Sequence, residues 1–285
     1  MKLAFLGSPP AAATALRALH AAGHDIVVAV TRPEKRRGRG ATTSPTAVGR
    51  IADELAIPLT TDIADVKSAG AELGVVVAYG RIIKADVLAV LPMVNIHFSL
   101  LPRWRGAAPV ERAILAGDPV TGVCLMDVEE GLDTGAVYRR CEVAVSPEET
   151  AAELTDRLAE EGARLLVAAL AEGLGRPVPQ DGEPSYAAKI EAADLHLDWS
   201  RPAAELHRVV RLGRAWTTLN GRRLLIVRAT VATEAPGGRP GLVEGDVVGT
   251  GDGGLRLLTV QPEGKRPMSA ADWRRGTAGP VVLGP

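Results

Sequence analysis

Residues 95–106, NIHFSLLPRWRG, place an amide and an imidazole two positions apart at the end of a strand-like run. Side chains alternate along an extended segment, so Asn95 and His97 are predicted to point to one side, with Ile96 and Phe98 in apolar packing on the other. An amide NH₂ and an imidazole N–H can both donate to an oxygen that gains negative charge during a reaction. The same pattern is also typical of a polar strand end with a satisfied histidine, and the pair alone leaves both interpretations open.

A carboxylate that could assist this pair is Asp133, in GLDTG at residues 131–135. An aspartate between glycines is usually a turn residue that bonds its own backbone. In a functional site it would instead lie within hydrogen-bond reach of His97, hold the orientation of the ring and favour its protonated form. The sequence spacing does not decide between the two roles.

Basic residues crowd the segment TRPEKRRGRGATTSP against a single acidic one, Glu34; they are Arg32, Lys35, Arg36, Arg37 and Arg39. The whole chain has a net charge of −1, but residues 202–285 carry 12 Lys and Arg against 7 Asp and Glu. A basic segment and a basic C-terminal part suit a polyanionic partner such as a phosphate backbone. Charged surfaces that only keep the protein in solution are the alternative.

The elements that must position these residues alternate between strand and helix in the first half of the chain. KLAFLG, DIVVAV, LGVVVAYG and MVNIHFS read as strands separated by helical patterns, which predicts a doubly wound, mostly parallel sheet. Ser44 is predicted to cap one helix, and SPEE at residues 146–149 to form the capping box of a long one. The turn after KLAFLG reads SPP and not GxGxxG, so a dinucleotide site is not indicated.

The alternation of predicted strands and helices ends at GLGRPVPQDGEPS, which is rich in Gly and Pro and is predicted to lie at the edge of the first domain. Beyond it, RRLLIVRATVAT, GLVEGDVVGT and GGLRLLTVQP have the strand and glycine-turn spacing of a small all-β unit, such as a barrel. At 285 residues the chain has room for both domains.

Composition restricts the class of protein. Hydrophobic residues make up 46% of the chain, which is ordinary for a globular protein, and the longest apolar run is too short to span a bilayer. MKLAFLGSPP is a poor signal peptide. Cys124 and Cys141 form no CxxC motif or disulfide framework, and Cys124 in GVCLM is expected to be a buried structural thiol. We therefore expect a cytoplasmic protein.

Taken together, these motifs resemble those of the methionyl-tRNA formyltransferase family. The resemblance rests on VVVAYGRI, NIHFSLLPRWRGAAPVERAILAGD, TGVCLMDVEEGLDTG, the RPEKRRGRG segment and QPEGKRPMSAADW, and it covers nearly the whole chain. It implies a formyltransferase Rossmann-like catalytic domain at residues 1–182, a linker at 183–201 and an OB-like tRNA-binding barrel at 202–285.

The resemblance also implies a role for individual residues. The catalytic residues would be Asn95, His97 and Asp133. The residues that contact 10-formyltetrahydrofolate, the co-substrate, would be Arg81, Ile82, Ile83, Ser99, Leu100, Leu101 and Pro102. The residues that grip the acceptor end of initiator methionyl-tRNA would be Arg36, Arg37 and Arg39, within the segment 32–43. No metal, no membrane and a monomeric state are expected.

Two departures from the family pattern concern the folate pocket. Phe98 stands where a glycine is usual and could narrow the pocket, and Arg81 replaces a more apolar residue. Two alternatives remain at this point. One is a related formyltransferase that acts on an amino-sugar nucleotide or hydrolyses the folate donor. The other is a catalytically silent protein that binds tRNA or folate.

Overall fold

The computed structural model describes residues 1–36, 43–232, 239–277 and 279–284. The chain divides into two units, the first comprising Met1–Val110, Val120–Ala144 and Thr155–Ala188. The second comprises Glu111–Pro119, Val145–Leu154 and Lys189–Pro285. No helix within the described ranges is long and apolar enough to cross a membrane.

The helices, in chain order, are α1 (Pro10–Ala21), α2 (Ala47–Glu54), α3 (Ala85–Leu88), α4 (Pro109–Ala116), α5 (Ala151–Glu172), α6 (Ala203–Val210) and α7 (Ala270–Arg275). The strands of the first unit are β1 (Lys2–Gly7), β2 (Asp25–Val30), β3 (Lys35–Arg36), β4 (Thr43–Ser44), β5 (Leu59–Thr60), β6 (Leu73–Val77), β7 (Met93–His97), β8 (Arg105–Gly106), β9 (Val120–Asp127), β10 (Val137–Ala144) and β11 (Tyr186–Ala187). The strands of the second unit are β12 (Trp216–Leu219), β13 (Arg222–Ala232), β14 (Leu242–Glu244), β15 (Val247–Gly249), β16 (Gly254–Pro262), β17 (Met268–Ser269) and β18 (Val281–Val282).

The main sheet of the first unit has seven strands in the order β10-β9-β7-β6-β1-β2-β5. The five strands from β7 to β5 run parallel, whereas β9 and β10 pair antiparallel at one end. From β1 the chain moves outward through β2 to β5, and then continues on the other side of β1 with β6 and β7. This confirms the doubly wound sheet. Ligands of such sheets bind beyond the carboxyl ends of the strands, near the point where the strand order reverses.

The strands that were predicted correctly are those with continuous runs of apolar residues. KLAFLG and DIVVAV coincide with β1 and β2, and the LGVVV run of β6 is buried along its whole length. Strands covered on both faces have continuous apolar runs of this kind. The sheet therefore provides the rigid support for the residues that follow β6 and β7.

The predicted cap of the second helix was wrong by two residues. The cap of α2 is Thr46, whose hydroxyl accepts a hydrogen bond from the Gly49 backbone N–H at 2.9 Å. Ser44 instead pairs with Lys35 in the short β3–β4 ladder, which takes it out of the helix. Several Ser and Thr residues in a row offer several possible caps, and only the strand pairing selects one.

The predicted capping box of the long helix was also misplaced. Ser146 and Glu149 form a turn, in which the Glu149 carboxylate accepts from the Ser146 N–H at 3.2 Å. The helix α5 begins after Thr150, whose hydroxyl accepts from the Glu153 N–H at 3.2 Å, while the Glu153 carboxylate accepts from the Thr150 N–H at 2.9 Å. This reciprocal pair is the capping box.

The side of β7 that faces α5 packs against a glycine. A Cβ atom on Gly162 would lie 2.7 Å from Ile96 Cγ2, 3.3 Å from Val123 Cγ1 and 3.7 Å from Phe98 Cε1. Ile96 and Phe98 are both buried, and they face the helix as the alternation predicted. Phe98 therefore fills the space above Gly162, on the opposite side of β7 from Asn95 and His97.

Replacing Gly162 by Ala is expected to destabilise the protein, although Gly→Ala in an open helix interior stabilises by about 1 kcal/mol. The added methyl would overlap Ile96 Cγ2, a β-branched group that cannot swing away. We expect a loss of about 1–3 kcal/mol in the free energy of unfolding, as for other overpacked cores. Urea denaturation of wild type and Gly162→Ala measures this difference, and a higher urea midpoint for the variant would contradict the packing described.

The second unit is built around an antiparallel sheet in the order β12-β13-β16-β15-β14-β18, with β17 paired to β16. The two ends of this order meet, because Thr218 of β12 and Gly284 exchange backbone hydrogen bonds at 3.2 and 3.0 Å. The sheet thus closes on itself almost completely, which confirms the predicted barrel. Trp199, Trp273 and the inward-facing aliphatic residues of the strands fill its core.

A buried histidine on α6 lies against the segment before α5 in this second unit. His207 is 7% exposed, and its Nε2 lies 3.3 Å from the Glu148 carboxylate. Arg211, one turn later, donates to the backbone carbonyls of Glu149 at 2.7 Å and Ser146 at 2.8 Å. Burial lowers the pKa of His207, although the carboxylate of Glu148 opposes this shift.

The direction of this shift predicts how stability depends on pH. Because the pKa of His207 is lower in the folded state than its ordinary value of about 6.5, the unfolded chain binds a proton more readily. The free energy of unfolding should therefore be unaffected by His207 above about pH 7, and should fall as the pH drops through 6.5 towards the folded pKa. Denaturation midpoints at pH 8 and pH 5.5 should differ less in His207→Gln than in wild type. Equal differences would contradict this assignment.

Candidate active site

The carboxyl end of β7 carries Asn95 and His97 on one face of the sheet. In the antiparallel pairing with β9, Asn95 lies opposite Met126 and His97 opposite Cys124. Asn95 is half-buried, whereas His97 is only 5% exposed. Within the described part of the chain, no hydrogen bond from the Asn95 side-chain amide to another protein group is formed. Its NH₂ is thus available to a ligand.

Asp133 reaches the same place from the loop after β9. Its Oδ2 lies 3.7 Å from His97 Nδ1 and accepts a hydrogen bond from the Gly106 backbone N–H at 2.7 Å. The Asp133 backbone has φ = 50°, in the left-handed region that non-glycine residues seldom adopt. The tertiary structure therefore brings together the three side chains that the sequence singled out.

The two ring nitrogens of His97 face oxygen atoms on opposite sides. Nε2 lies 2.9 Å from the Trp104 carbonyl oxygen, which can only accept, so Nε2 carries a proton and donates it. Nδ1 faces the Asp133 carboxylate, at a distance that leaves room for adjustment. His97 is consequently held by the hydrogen bond of its Nε2, and donation from that nitrogen to a substrate oxygen requires the bond to the Trp104 carbonyl to break.

Two residues that support this arrangement carried no recognisable signal in the sequence. Gln180 lies in the Gly- and Pro-rich run after α5, and its side chain bonds the backbone of the Asp133 loop and the guanidinium of Arg105. Ser185 accepts a hydrogen bond from the Trp104 N–H at 2.9 Å. Neither lies in a motif with known chemistry, and apart from the Arg105 guanidinium the partners named here are backbone groups distant in sequence.

Two of the four residues in the predicted folate turn after β7 have side chains that are buried within the protein. Ser99 is fully buried and donates to the Arg103 carbonyl at 2.6 Å. Leu101 is 1% exposed and packs with Cys124 and Met126. Burial raises the pKa of the Cys124 thiol, as expected for a structural cysteine. Ser99 and Leu101 therefore present almost no surface to a ligand, whereas Leu100 and Pro102 are half-exposed.

The three predicted residues after β6 divide between core and surface. Ile83 is 6% exposed and packs in the core with Val87 and Tyr79. Ile82 is 84% exposed, and Arg81 is exposed beside it. Ile82 and Arg81 are thus the members of this group whose side chains are open to a ligand.

The basic segment is described only at its ends. Lys35 and Arg36 form β3, which pairs antiparallel with β4, and Arg36 lies opposite Thr43. Arg37 and Arg39 lie outside the described residues. Among the residues that are described, no three His, Cys, Asp or Glu side chains are placed so that they could hold a metal ion.

Two family models match the chain, Formyl transferase over residues 1–170 and Formyl transferase, C-terminal domain, over residues 189–278. A methionyl-tRNA formyltransferase of Paracoccus denitrificans is 43% identical over 99% of this chain and 100% of the relative. The chain belongs to the methionyl-tRNA formyltransferase family. Its relative in Acidiphilium cryptum, of the same name, is 44% identical over 100% of this chain and 99% of its own.

Solved structures similar to this member of the methionyl-tRNA formyltransferase family share its fold. The Methionyl-tRNA formyltransferase from Clostridium thermocellum has a TM-score of 0.62 at 17% identity, over 81% of this chain and 94% of its own. The N-formyltransferase from Helicobacter canadensis, in complex with folinic acid and dTDP-3-aminofucose, has a TM-score of 0.69 at 18% identity, over 92% of this chain and 99% of its own. At such identities the likeness concerns the fold, and it does not distinguish a tRNA from a sugar nucleotide as the acceptor.

Proposed function

We propose that this protein transfers the formyl group of 10-formyltetrahydrofolate to the α-amine of initiator methionyl-tRNA. The observation that carries the chemistry is the cluster at the end of β7, where the Asn95 side-chain amide, unpaired among the described residues, lies on the same face as the His97–Asp133 pair. Full-length identity of 43% to the Paracoccus relative supports tRNA as the acceptor over a sugar nucleotide.

The folate donor would supply a formyl group that is already activated at N10. Asn95 donates an N–H to the formyl oxygen, on which negative charge develops as the amine attacks. This donor needs no rearrangement of the protein. His97 becomes a second donor when its Nε2 leaves the Trp104 carbonyl, and Asp133 holds the ring and assists transfer of the proton that the attacking amine loses. The bond between the formyl carbon and N10 then breaks, N10 takes up that proton, and tetrahydrofolate leaves. Half-exposed Leu100 and Pro102, together with exposed Arg81 and Ile82, leave open surface on which the folate can lie.

The remaining parts of the proposal concern the chain as a whole. Residues 1–182 would form the catalytic domain, 183–201 a linker and 202–285 the tRNA-binding domain, with the positive charge of the last part attracting phosphates. Arg36, Arg37 and Arg39 would grip the acceptor end of the tRNA. We further propose that the protein is a cytoplasmic monomer. The transfer should need no metal, because the hydrogen-bond donors named above suffice to stabilise the developing charge.

One assay separates this function from its rivals. Purified protein is incubated with 10-formyltetrahydrofolate and either methionyl-tRNA or a dTDP-linked amino sugar, and the formylated product is detected by mass. We expect repeated turnover with methionyl-tRNA only. Turnover with the amino sugar alone would reject the tRNA assignment, free formate without an acceptor would indicate a hydrolase, and binding without turnover would indicate a silent protein.

A further inference from the structure

The side-chain amide of Gln180 uses its full hydrogen-bonding capacity around the Asp133 loop. Its Nε2 donates to the backbone carbonyls of Asp133 and Gly135, each at 2.8 Å. Its Oε1 accepts from Arg105 at Nε (3.0 Å) and at Nη2 (2.7 Å). A guanidinium can only donate and a carbonyl can only accept, so the orientation of the amide is fixed by its partners.

These bonds attach the Asp133 loop to β8 at two points. Arg105 reaches the loop backbone through Gln180, and the next residue, Gly106, donates its N–H directly to the Asp133 carboxylate. Asp133 has a left-handed backbone, which persists only where the surroundings hold it. The position of the Asp133 carboxylate is therefore fixed by contacts to the backbone of its loop and by a contact to the carboxylate itself.

Both sides of the His97 ring are supported by the chain segment that follows Gln180. Ser185 accepts from the N–H of Trp104, whose carbonyl accepts from His97 Nε2. Two residues later Ala187 pairs with Gly106 in the β8–β11 ladder, and a Cβ on Gly106 would lie 2.8 Å from the Ala187 oxygen. Any residue larger than glycine at position 106 would separate these strands and move the N–H that donates a hydrogen bond to Asp133.

We propose that Gln180, held by Arg105, is a positioning residue that places the Asp133 carboxylate against His97. Neither residue is assigned to touch the substrates, so their influence on the reaction passes through Asp133. This inference depends on the proposed formyl transfer, since its effect is measured on that reaction. The sequence pattern did not indicate this role for the Gln180 side chain.

The first test compares Gln180→Met with Gln180→Glu. Methionine removes all four hydrogen bonds, whereas glutamate keeps an acceptor for Arg105 but turns an oxygen towards the two carbonyls. We expect kcat to fall about 10- to 100-fold in both, because small misplacement of a reacting group is costly, with the KM for each substrate changed less than about threefold. A wild-type kcat in both variants would overturn the proposal.

The second test asks whether Gln180 acts through Asp133. In a double-mutant cycle, Gln180→Met should reduce kcat strongly in wild type and hardly at all in the Asp133→Asn background. The pH profile of kcat in Gln180→Met should also move in the direction seen for Asp133→Asn. Independent, multiplicative losses in the double variant would show that Gln180 acts elsewhere, and would reject the inference.

A matched control and the wild-type activity separate the possible failures. Arg139→Met removes a guanidinium that donates to Glu172 at 2.8 Å and to the Gly173 carbonyl at 3.1 Å, away from Asp133, and should keep the wild-type kcat. An equal loss in this control would attribute the effect to general loosening and reject the proposal. If Gln180→Met does not fold, Gln180→Glu carries the same cycle. Wild-type protein that forms no formyl-methionyl-tRNA rejects the proposed function, whereas active wild type with unaffected variants rejects only the role of Gln180.

Discussion

Replacing Asn95 by Ala is expected to lower kcat by about 10²- to 10³-fold, the loss typical of removing one oxyanion donor. The reason is that the Asn95 amide is half-buried at the carboxyl end of β7 and forms no hydrogen bond to another protein group within the described residues. It can therefore donate to the developing charge without breaking an existing interaction. The KM for methionyl-tRNA and that for folate should change little. Single-turnover formylation under saturating substrates measures the effect on the chemical step.

The variant Asn95→Asp serves as a control of shape. Aspartate has the size of asparagine but no N–H donor, and its negative charge would face the negative charge of the transition state. We expect it to lose at least as much activity as Asn95→Ala. A wild-type rate in either variant would remove Asn95 from the mechanism. A raised KM with unchanged kcat would instead indicate uniform binding of substrate and transition state.

Replacing Arg36, Arg37 and Arg39 together by Ala is expected to raise the KM for methionyl-tRNA by about tenfold or more. The KM for the folate should remain nearly constant, because these residues belong to a segment remote in sequence from the proposed folate contacts. Each lost phosphate contact should also reduce the steepness of the salt dependence by about one unit of log–log slope. The assay is formylation at several tRNA and salt concentrations.

A control variant that changes the net charge by the same amount can be made at three other arginines of the first unit. Arg17, Arg164 and Arg176 are exposed, and the first two form surface ion pairs that contribute little to stability. Their replacement by Ala changes the net charge by the same amount without altering the basic segment. If this control raises the KM for tRNA equally, or if the triple variant of Arg36, Arg37 and Arg39 affects both substrates alike, the segment does not grip tRNA.

Phe98, which departs from the family pattern, lies on the opposite side of the strand from Asn95 and His97. The resemblance raised the expectation that this side chain could narrow the folate pocket. Instead, Phe98 is 8% exposed and faces Gly162 of α5, because side chains alternate along β7 and its neighbour Ile96 faces the same helix. The glycine on the helix accommodates the aromatic ring.

Helix starts were the least predictable part of the fold. Ser44 and Ser146 are suitable caps by composition, yet Thr46 and Thr150 cap the two helices. Ser44 is withdrawn by strand pairing with Lys35, a contact with residues outside its own local segment. Local propensity leaves such neighbours nearly equal, and for Ser44 the strand pairing decides between them.

The sequence alone determined the buried parallel strands of the first unit and the face on which the reactive side chains of β7 lie. Continuous apolar runs specify the buried parallel strands, and the period of two in β7 places Asn95 and His97 on one face. Together with the family motifs, these patterns also indicated the chemistry of formyl transfer. The buried strands and the shared face of Asn95 and His97 each depend on residues that are close together in the chain.

Only the tertiary structure decided what reaches that face. Asp133 comes within 3.7 Å of His97 because the loop after β9 is tied to Gly106 and to Gln180, whose positions depend on the β8–β11 pairing. A hydrogen bond to a peptide group does not by itself require a particular residue at the partner position, so such bonds leave little pattern in a single sequence. The sequence thus determined the reactive side chains, and long-range backbone contacts determined their geometry.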